Sequence, residues 1–294
     1  MVLRTIALVG SMAIVCGPAF ADDDVPPVTA GHTYAQHLIE RIQAHHPEIR
    51  SILIEGQRDG MKGYYVLGST ASRASVFHPV HEPIATSGGQ LSRDGGSYVI
   101  HEPFVSSTGH AIGVATFTFA HRKGEPVTRL VALAHQGAAQ LAAATLSAKN
   151  AGDPYPYDPA YGPNTYAQDL TERAIKAHPE LIVVMLHATP PGKTRNIIIG
   201  SNIGRFGKAA DEDDLRVIDK GETNLEIAGD KDRFETEVPL NDASGTRIGA
   251  LGLVFKYDGH TNKEVMRARG LKIRDEIARD IPNSAALFRP AAAK

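Results

Sequence analysis

The sequence has no tryptophan, a single cysteine and no apolar run long enough to span a bilayer. Cys16 lies near the beginning of the chain, so disulfides cannot organise the fold and the rest of the chain offers no cysteine nucleophile. A membrane-spanning helix needs about 20 apolar residues, and no stretch approaches that length. Because aromatic residues make up only 6% of the chain, the cores must be built mainly from Ile, Val, Leu and Ala.

The first 21 residues have the pattern of a cleaved signal peptide. Arg4 supplies positive charge, Ile6 to Val15 is mostly apolar, and Ala19-Phe20-Ala21 matches the small-x-small cleavage pattern. A lipoprotein with Cys16 acylated is the less favoured alternative, because a bulky valine precedes that cysteine. We therefore predict that residues 1–21 are removed and that the mature protein is soluble and periplasmic.

The charge of the chain is close to balanced. The formal net charge is −2, and without Arg4 of the leader 30 basic side chains face 33 acidic ones. Binding to nucleic acid or to an anionic membrane surface usually requires a basic excess. We predict no nucleic-acid partner and a protein that does not span the membrane.

Two stretches of the chain are nearly the same. Thr33 to Glu48 reads TYAQHLIERIQAHHPE and Thr165 to Glu180 reads TYAQDLTERAIKAHPE, with ten of sixteen positions identical at an offset of 132. Further along, Gly109-x-x-Ile112-Gly113 matches Gly245-x-x-Ile248-Gly249 at an offset of 136. This regular spacing indicates two copies of one module.

Both copies show the same order of predicted elements. A helix with an apolar residue about every four positions comes first and stops before Pro47 or Pro179, with Asn164 as the candidate N-cap in the second copy. A hairpin, a variable middle segment with a short helix, a second hairpin and a closing helix follow. The strands of the second copy are predicted at 181–188, 195–200, 234–240 and 248–257.

These elements divide the chain into five segments. We predict a signal peptide at 1–21, a first domain at 22–150, a Pro- and Tyr-rich linker at 151–163, a second domain at 164–284 and a tail at 285–294. Prolines keep a linker extended, so the linker is expected to be a semi-rigid spacer, with packing of its tyrosines on a neighbouring domain as the alternative. The predicted fold class is α+β, with each domain an antiparallel sheet flanked by helices.

The element order and two motifs resemble PAS and Cache sensory modules. Gly200-Ser201-Asn202-Ile203-Gly204-Arg205-Phe206-Gly207-Lys208, followed by the acidic stretch 210–215, resembles the passage from strand to helix in these families. Val238-Pro239-Leu240-Asn241-Asp242, with the Gly-x-x-Ile-Gly motif after it, resembles their late hairpin. The resemblance covers both copies. It implies a small-ligand pocket between the sheet and the middle helix, and sensing or binding without chemistry.

Modules of that kind usually lie between membrane helices and feed a kinase or chemotaxis domain, and the sequence shows neither. The resemblance therefore implies a separate membrane-bound receptor or transporter as the partner. No Gly-x-Ser-x-Gly elbow and no phosphate-binding glycine loop is present, so an enzyme is not expected. A hydrolase without a known motif is the least favoured reading.

The histidines concentrate in the first copy, which holds ten of the thirteen. His78-Pro79-Val80-His81-Glu82-Pro83 lies in its middle loop, and His101-Glu102-Pro103 lies on its late hairpin. Imidazole and carboxylate together suit transition metals, or haem iron through a histidine. We predict His78, His81, Glu82 and His101 as candidate metal ligands, provided that the Val99 face of the strand points toward the loop. The alternative is a polar surface loop with solvated histidines.

The run Asp211-Glu212-Asp213-Asp214 invites a calcium interpretation, but the Asp-x-Asp-x-Asp-Gly loop is missing. Acidic residues are also favoured in the first turn of a helix. We interpret the run as such a turn. The predicted function is a periplasmic protein that binds or senses a small solute, and the alternative is a periplasmic carrier of a transition metal or haem.

Overall fold

A computed structural model describes residues 32–57, 63–71, 79–80, 88–91, 96–121, 123–229 and 231–291. These residues form two α+β domains, each an antiparallel sheet flanked by helices, which confirms the predicted fold class. The predicted leader and part of the tail lie outside the described residues. No helix within those ranges is both long enough and apolar enough to cross a membrane.

The first domain contains a six-stranded sheet with the order β3-β2-β1-β6-β5-β4. Its elements are α1 (Tyr34–His45), β1 (Ile49–Gln57), β2 (Tyr64–Ser69), β3 (Pro79–Val80), β4 (Gly88–Leu91), β5 (Ser97–Val105), β6 (Ala111–Ala120), α2 (Thr128–Ala144) and α3 (Ala148–Ala151). In its middle segment, the described residues form the short strands β3 and β4.

The second domain contains a five-stranded sheet with the order β8-β7-β11-β10-β9. Its elements are α4 (Tyr166–Ala177), β7 (Leu181–Ala188), β8 (Ile197–Ser201), α5 (Glu212–Lys220), β9 (Asn224–Ala228), β10 (Arg233–Asn241), β11 (Arg247–Lys256), α6 (Lys263–Ala278) and a 3-10 helix (Ser284–Phe288). Its order repeats the β2-β1-β6-β5-β4 part of the first sheet strand for strand.

The shared motif at the start of each domain attaches a helix to a strand. Thr165 caps α4 by accepting a hydrogen bond from the backbone N–H of Gln168, so the predicted N-cap Asn164 was one residue too early. The Gln168 side chain in turn accepts a hydrogen bond from the backbone N–H of Ser201 on β8, at 2.9 Å. Thr33, Gln36 and Ser69 make the same arrangement in the first domain. Part of the repeated sequence therefore specifies the attachment of this helix to this strand.

The two faces of the second sheet are covered differently. On one face, apolar side chains of alternate positions, such as Val184, Phe234 and Leu253, form a core with α4 and α6. On the other face, Val183, Met185 and Val254 form a smaller cluster against which Leu146 of the first domain packs. The rest of that second face is polar and lies beneath α5, which makes it the candidate place for a site.

The segment between the domains is packed between them and is not an isolated spacer. Ala151 and Asp153 are buried, and the Tyr155 ring stacks on His37 with 3.9 Å between centroids. The Asn150 side chain donates a hydrogen bond to the carbonyl oxygen of Ile203 in the second domain, at 3.0 Å. This contact brings the end of the first domain to the polar face of the second sheet.

Candidate functional site

The predicted metal ligands of the first domain are only partly visible. His78, His81 and Glu82 lie outside the described residues, so their convergence with His101 stays a prediction. Among the residues that are described, no group of three or more histidine and acidic side chains is placed to hold a metal ion.

His101 lies on the face of β5 that turns away from α2, because Ile100 and Glu102 occupy the face toward that helix. Its Nδ1 is 2.9 Å from the hydroxyl oxygen of Thr116 on β6. Burial lowers the pKa of this imidazole, so it is neutral near pH 7. A neutral ring fixed through one nitrogen is in the form that a metal would require.

A cavity of about 410 Å³ lies in the second domain, between the polar sheet face, α5 and the end of the first domain. This volume is within the usual range of pockets for small molecules. Strands β7 to β10, the stretch 205–214 and the α2–α3 junction supply the walls. Its apolar lining consists mainly of Leu146, Met185, Ile198, Ala209, Ile227 and Ala228.

His187 enters the cavity from β7, a strand that is otherwise apolar. The residue is 2% exposed, and neither ring nitrogen has a hydrogen-bond partner among the described residues. Its Nδ1 is 3.5 Å from Oδ2 of Asp214, a contact too long for a good hydrogen bond. Buried polar groups in folded proteins nearly always have a partner, so this side chain lacks one that a ligand can supply.

Asp214 and Glu237 form a hydrogen-bonded carboxyl pair at the wall of the cavity. Burial raises the pKa of Glu237 to about 11, and the hydrogen bond to Asp214 adds to the shift. Burial alone would also raise the pKa of Asp214, but His187 and the proton on Glu237 outweigh it and lower that pKa. Glu237 therefore keeps a proton and donates it to the Asp214 carboxylate.

One oxygen of the pair has no hydrogen-bond partner among the described residues. Glu237 is 4% exposed, and its Oε1 accepts no hydrogen bond from the described part of the chain. Together with the ring nitrogens of His187, the cavity thus presents buried polar atoms without partners among the described residues, from β7 and β10. Leaving such atoms without a hydrogen bond costs free energy, and water or a ligand with N–H or O–H groups removes this cost.

The acidic run serves as the first turn of α5, as predicted. Asp211 is the N-cap and accepts from the backbone N–H groups of Asp213 and Asp214, while the Asp214 side chain accepts from the N–H of Asp211. This reciprocal capping fixes the start of the helix. The same geometry points Asp214 toward β10, so one carboxylate both caps the helix and borders the cavity.

A second acidic pair spans two adjacent strands. Glu235 on β10 lies directly opposite Glu226 on β9. Burial raises the pKa of Glu235 to about 7, and the charges of Glu226 and Asp214 contribute. Like charges at directly opposed positions destabilise a sheet. These two residues therefore reduce stability and add negative charge to the cavity wall.

Sequence patterns did not point to this site. They favoured the histidine-rich first domain, whereas His187 is the histidine that the described structure buries beside a cavity. A usable signal was present on β10, where Arg233, Glu235 and Glu237 alternate with the apolar or small residues of the opposite face. Charged residues with a period of two on an interior strand indicate that one face is not part of the apolar core.

The two domains carry related residues at equivalent places. An offset of 132 relates His187 to Glu55, and an offset of 136 relates Glu237 to His101. In both domains, one of these positions is an imidazole and the other a carboxylic acid, on matching strands. The identities are exchanged between the copies.

A wider groove of about 720 Å³ lies on the surface between α6 and the β10–β11 turn. Its most buried acidic residue, Asp242, already accepts hydrogen bonds from Ser244 and Thr246 within the turn. The carboxylate is therefore used to hold the turn, and the smaller cavity of the second domain is the better candidate site.

No protein-family model matches this chain. No curated protein matches it either. Among solved structures, a putative GAF sensor protein from Burkholderia vietnamiensis is similar over 41% of this chain and 76% of that chain, with 15% sequence identity and a TM-score of 0.29. A likeness of this size carries no argument about function, so the function is inferred from the site itself.

Proposed function

We propose that the protein binds a small polar solute in the cavity of its second domain and acts as a periplasmic sensor or binding protein for a membrane-bound partner. The observation that carries the proposal is the pair of buried polar groups at the cavity, on His187 and Glu237, whose atoms lack hydrogen-bond partners in the described part of the chain. The order of elements shared with PAS and Cache modules also supports binding between a sheet and the middle helix, which here is α5.

Residues of both domains line the cavity, so a bound ligand can affect both domains. Leu146, Ser147 and Lys149 belong to the first domain and line it together with the second. Arg205 lines it as well, and its guanidinium is 3.3 Å from the carboxylate of Asp153 between the domains. A ligand that contacts Arg205 therefore competes with an interdomain ion pair, which links binding to the relative position of the domains.

We propose binding without catalysis. The hydroxyl group in the lining is that of Ser147, and it accepts a hydrogen bond from the backbone N–H of Asn150 as the cap of α3. Asp214 is likewise held by its capping role at α5. These groups are positioned to stabilise helix ends, and this use favours a binding site over a nucleophile with its base.

Thermal unfolding of the full chain, with a panel of amines, amino acids, carboxylates and sugars, tests the proposal. A ligand at 100 times its Kd stabilises the folded state by about 2.7 kcal/mol, which shifts the midpoint measurably. We expect at least one class to raise the midpoint of the wild type and of His260→Phe, which alters an exposed histidine. His187→Phe keeps a ring but removes both nitrogens and should lose the shift. Absence of any shift, with equilibrium dialysis also negative, overturns the proposal.

The alternative function is a carrier of a transition metal or haem that uses His78, His81, Glu82 and His101. The contact between His101 and Thr116 favours it, because ligating histidines are commonly oriented through their second nitrogen. Metal analysis of untagged protein tests it. Stoichiometric metal in the wild type that is lost in the His81→Ala/His101→Ala double variant supports the carrier, and unchanged metal content or none rejects these ligands.

A further inference from the structure

The cavity of the second domain is richer in carboxyl groups than in cations. Six acidic side chains line it: Asp211, Asp213, Asp214, Glu226, Glu235 and Glu237. Four side chains with a permanent positive charge line it: Lys149, Arg205, Lys208 and Arg233. With Glu237 protonated, five carboxyl groups still face four cations, and this composition favours a positively charged occupant.

Part of the positive charge is directed to carboxylates outside the lining. Arg205 faces Asp153 at 3.3 Å, and Arg233 lies 3.8 Å from Asp232. Neither Asp153 nor Asp232 belongs to the cavity wall. Conversely, one acidic residue of the lining, Asp213, forms an ion pair with Arg216 of its own helix, which is outside the lining. The positive charge left to balance the carboxyl groups of the wall is therefore less than the four cations suggest.

The pair holds a proton because it is buried and hydrogen-bonded, and the neighbouring carboxylates add to the effect. Around Glu237, His187 approaches from β7, Asp211 and Asp214 from the start of α5, and Glu226 from β9. Lys208 and Arg205 approach from the loop before α5, Lys149 from the first domain, and Glu235 and Arg233 lie on the same strand. A bound proton is the smallest cation that relieves the repulsion between the two carboxylates.

The unpartnered atoms specify the kind of cation. The Oε1 atom of Glu237 and a ring nitrogen of His187 are buried acceptors that need N–H donors. An ammonium group supplies three donors and a charge. Met185 and Ile198 form apolar wall on the same face of the sheet as His187, which suits methylene groups attached to the nitrogen.

We infer that the cavity binds a small aliphatic ammonium compound, a primary amine or diamine, whose charge replaces the proton shared by Asp214 and Glu237. This inference rests on the proposed function that the cavity binds a solute. In the exchange, the O–H bond of Glu237 breaks, its proton goes to the buffer, and the ammonium N–H groups donate to the two carboxylates. Binding therefore releases protons and strengthens as the pH rises from 5 to 8.

Isothermal titration of the full chain with three probes of similar length tests the charge of the ligand. The probes are 1,4-diaminobutane, 1,4-butanediol and succinate, which are cationic, neutral and anionic near pH 7, with a chelator present to exclude metals. We expect binding of the diamine, and weaker or undetectable binding of the others. Titrations in two buffers with different ionisation heats give the number of protons released, which should be clearly above zero.

Glu237→Gln keeps a hydrogen-bond donor toward Asp214 but cannot lose a proton. We expect at least tenfold weaker diamine binding and less proton release, whereas Glu264→Gln, which removes an exposed carboxylate on α6, leaves both unchanged. Binding of succinate or the diol in place of the diamine overturns the ammonium inference but keeps the cavity as a binding site. If the diamine binds without proton release, or equally to Glu237→Gln, the proton exchange is wrong. If the broad solute panel also finds no ligand, the proposed function itself fails.

Discussion

Glu237→Gln should stabilise the second domain at neutral pH, although it alters a buried hydrogen-bonded residue. Burial raises the pKa of Glu237 from 4.5 to about 11, with the hydrogen bond to Asp214 as a further cause. A carboxyl group with a raised pKa contributes stability that is complete below pH 4.5 and is lost progressively as the pH rises toward 11. At about 1.4 kcal/mol per pH unit, the loss at pH 7 is about 3 kcal/mol.

Glutamine has the shape of the protonated acid and never ionises in either state. Its amide donates to Asp214 as the proton of Glu237 does, so the folded contacts are kept. We expect the free energy of unfolding of the second domain to increase by about 2–3 kcal/mol at pH 7 and to change by less than about 0.5 kcal/mol near pH 4.5. The gain should depend on pH because Glu237 ionises in the unfolded wild type and stabilises that state, whereas glutamine does not ionise.

Urea unfolding at several pH values measures this difference. Because the chain has two domains, amide exchange of β10 and β11 identifies the transition of the second one. Glu264→Gln is the matched control, since its side chain is exposed and should give no pH-dependent gain. A gain that is equal at pH 4.5 and pH 7, or a loss of stability at pH 7, would refute the assignment of the proton to Glu237.

Two further substitutions, each with a control, test the packing that positions the site. Gly249→Ala should destabilise the second domain by about 2–3 kcal/mol in urea unfolding, because a Cβ there would lie 1.8 Å from the carbonyl oxygen of His187. The control is Gly162→Ala, which has open space around it and should change stability by less than about 0.5 kcal/mol. Arg205→Met should cost about 2–3 kcal/mol and separate the unfolding transitions of the two domains in calorimetry, since it leaves the buried carboxylate of Asp153 without this partner. His110→Ala, at an exposed interdomain contact with Asp232, should cost less than about 1 kcal/mol and leave the two transitions together. Equal effects of the last two substitutions would show that the buried ion pair does not hold the domains together.

Much of the fold follows from local sequence patterns. The β-branched run at 181–188 predicted β7 with its observed bounds, and the other three predicted strands of the second copy agree with β8, β10 and β11 to within two residues. The edge strand β9 (Asn224–Ala228) was not predicted. It is short and half-buried, so its apolar pattern is weak, and it exists because β10 offers it backbone partners.

The site was less accessible to sequence reasoning. The acidic run was correctly placed at the start of a helix, but which of its members faces a cavity depends on how α5 lies on β10. Asp214 and Glu237 meet through tertiary packing across many residues of chain. The number of histidines favoured the first domain as the location of the site. In the structure, it is the burial of His187 beside a cavity that favours the second domain.

The contact of α1 with the second domain has a consequence for the order in which an emerging chain folds. The ring of Tyr34 fills the space beside Gly204, where a Cβ would lie 2.2 Å from it, and its hydroxyl donates to the carbonyl oxygen of Asn202 at 3.3 Å. Domains generally fold as they emerge, the N-terminal one first. Once the first domain is complete at Ala151, it therefore waits with Tyr34 uncovered until about 50 further residues, up to Gly204, have emerged. During this interval, a nascent chain presents an aromatic surface that only the rest of the same polypeptide covers, and a chaperone that recognises such surfaces has its opportunity then.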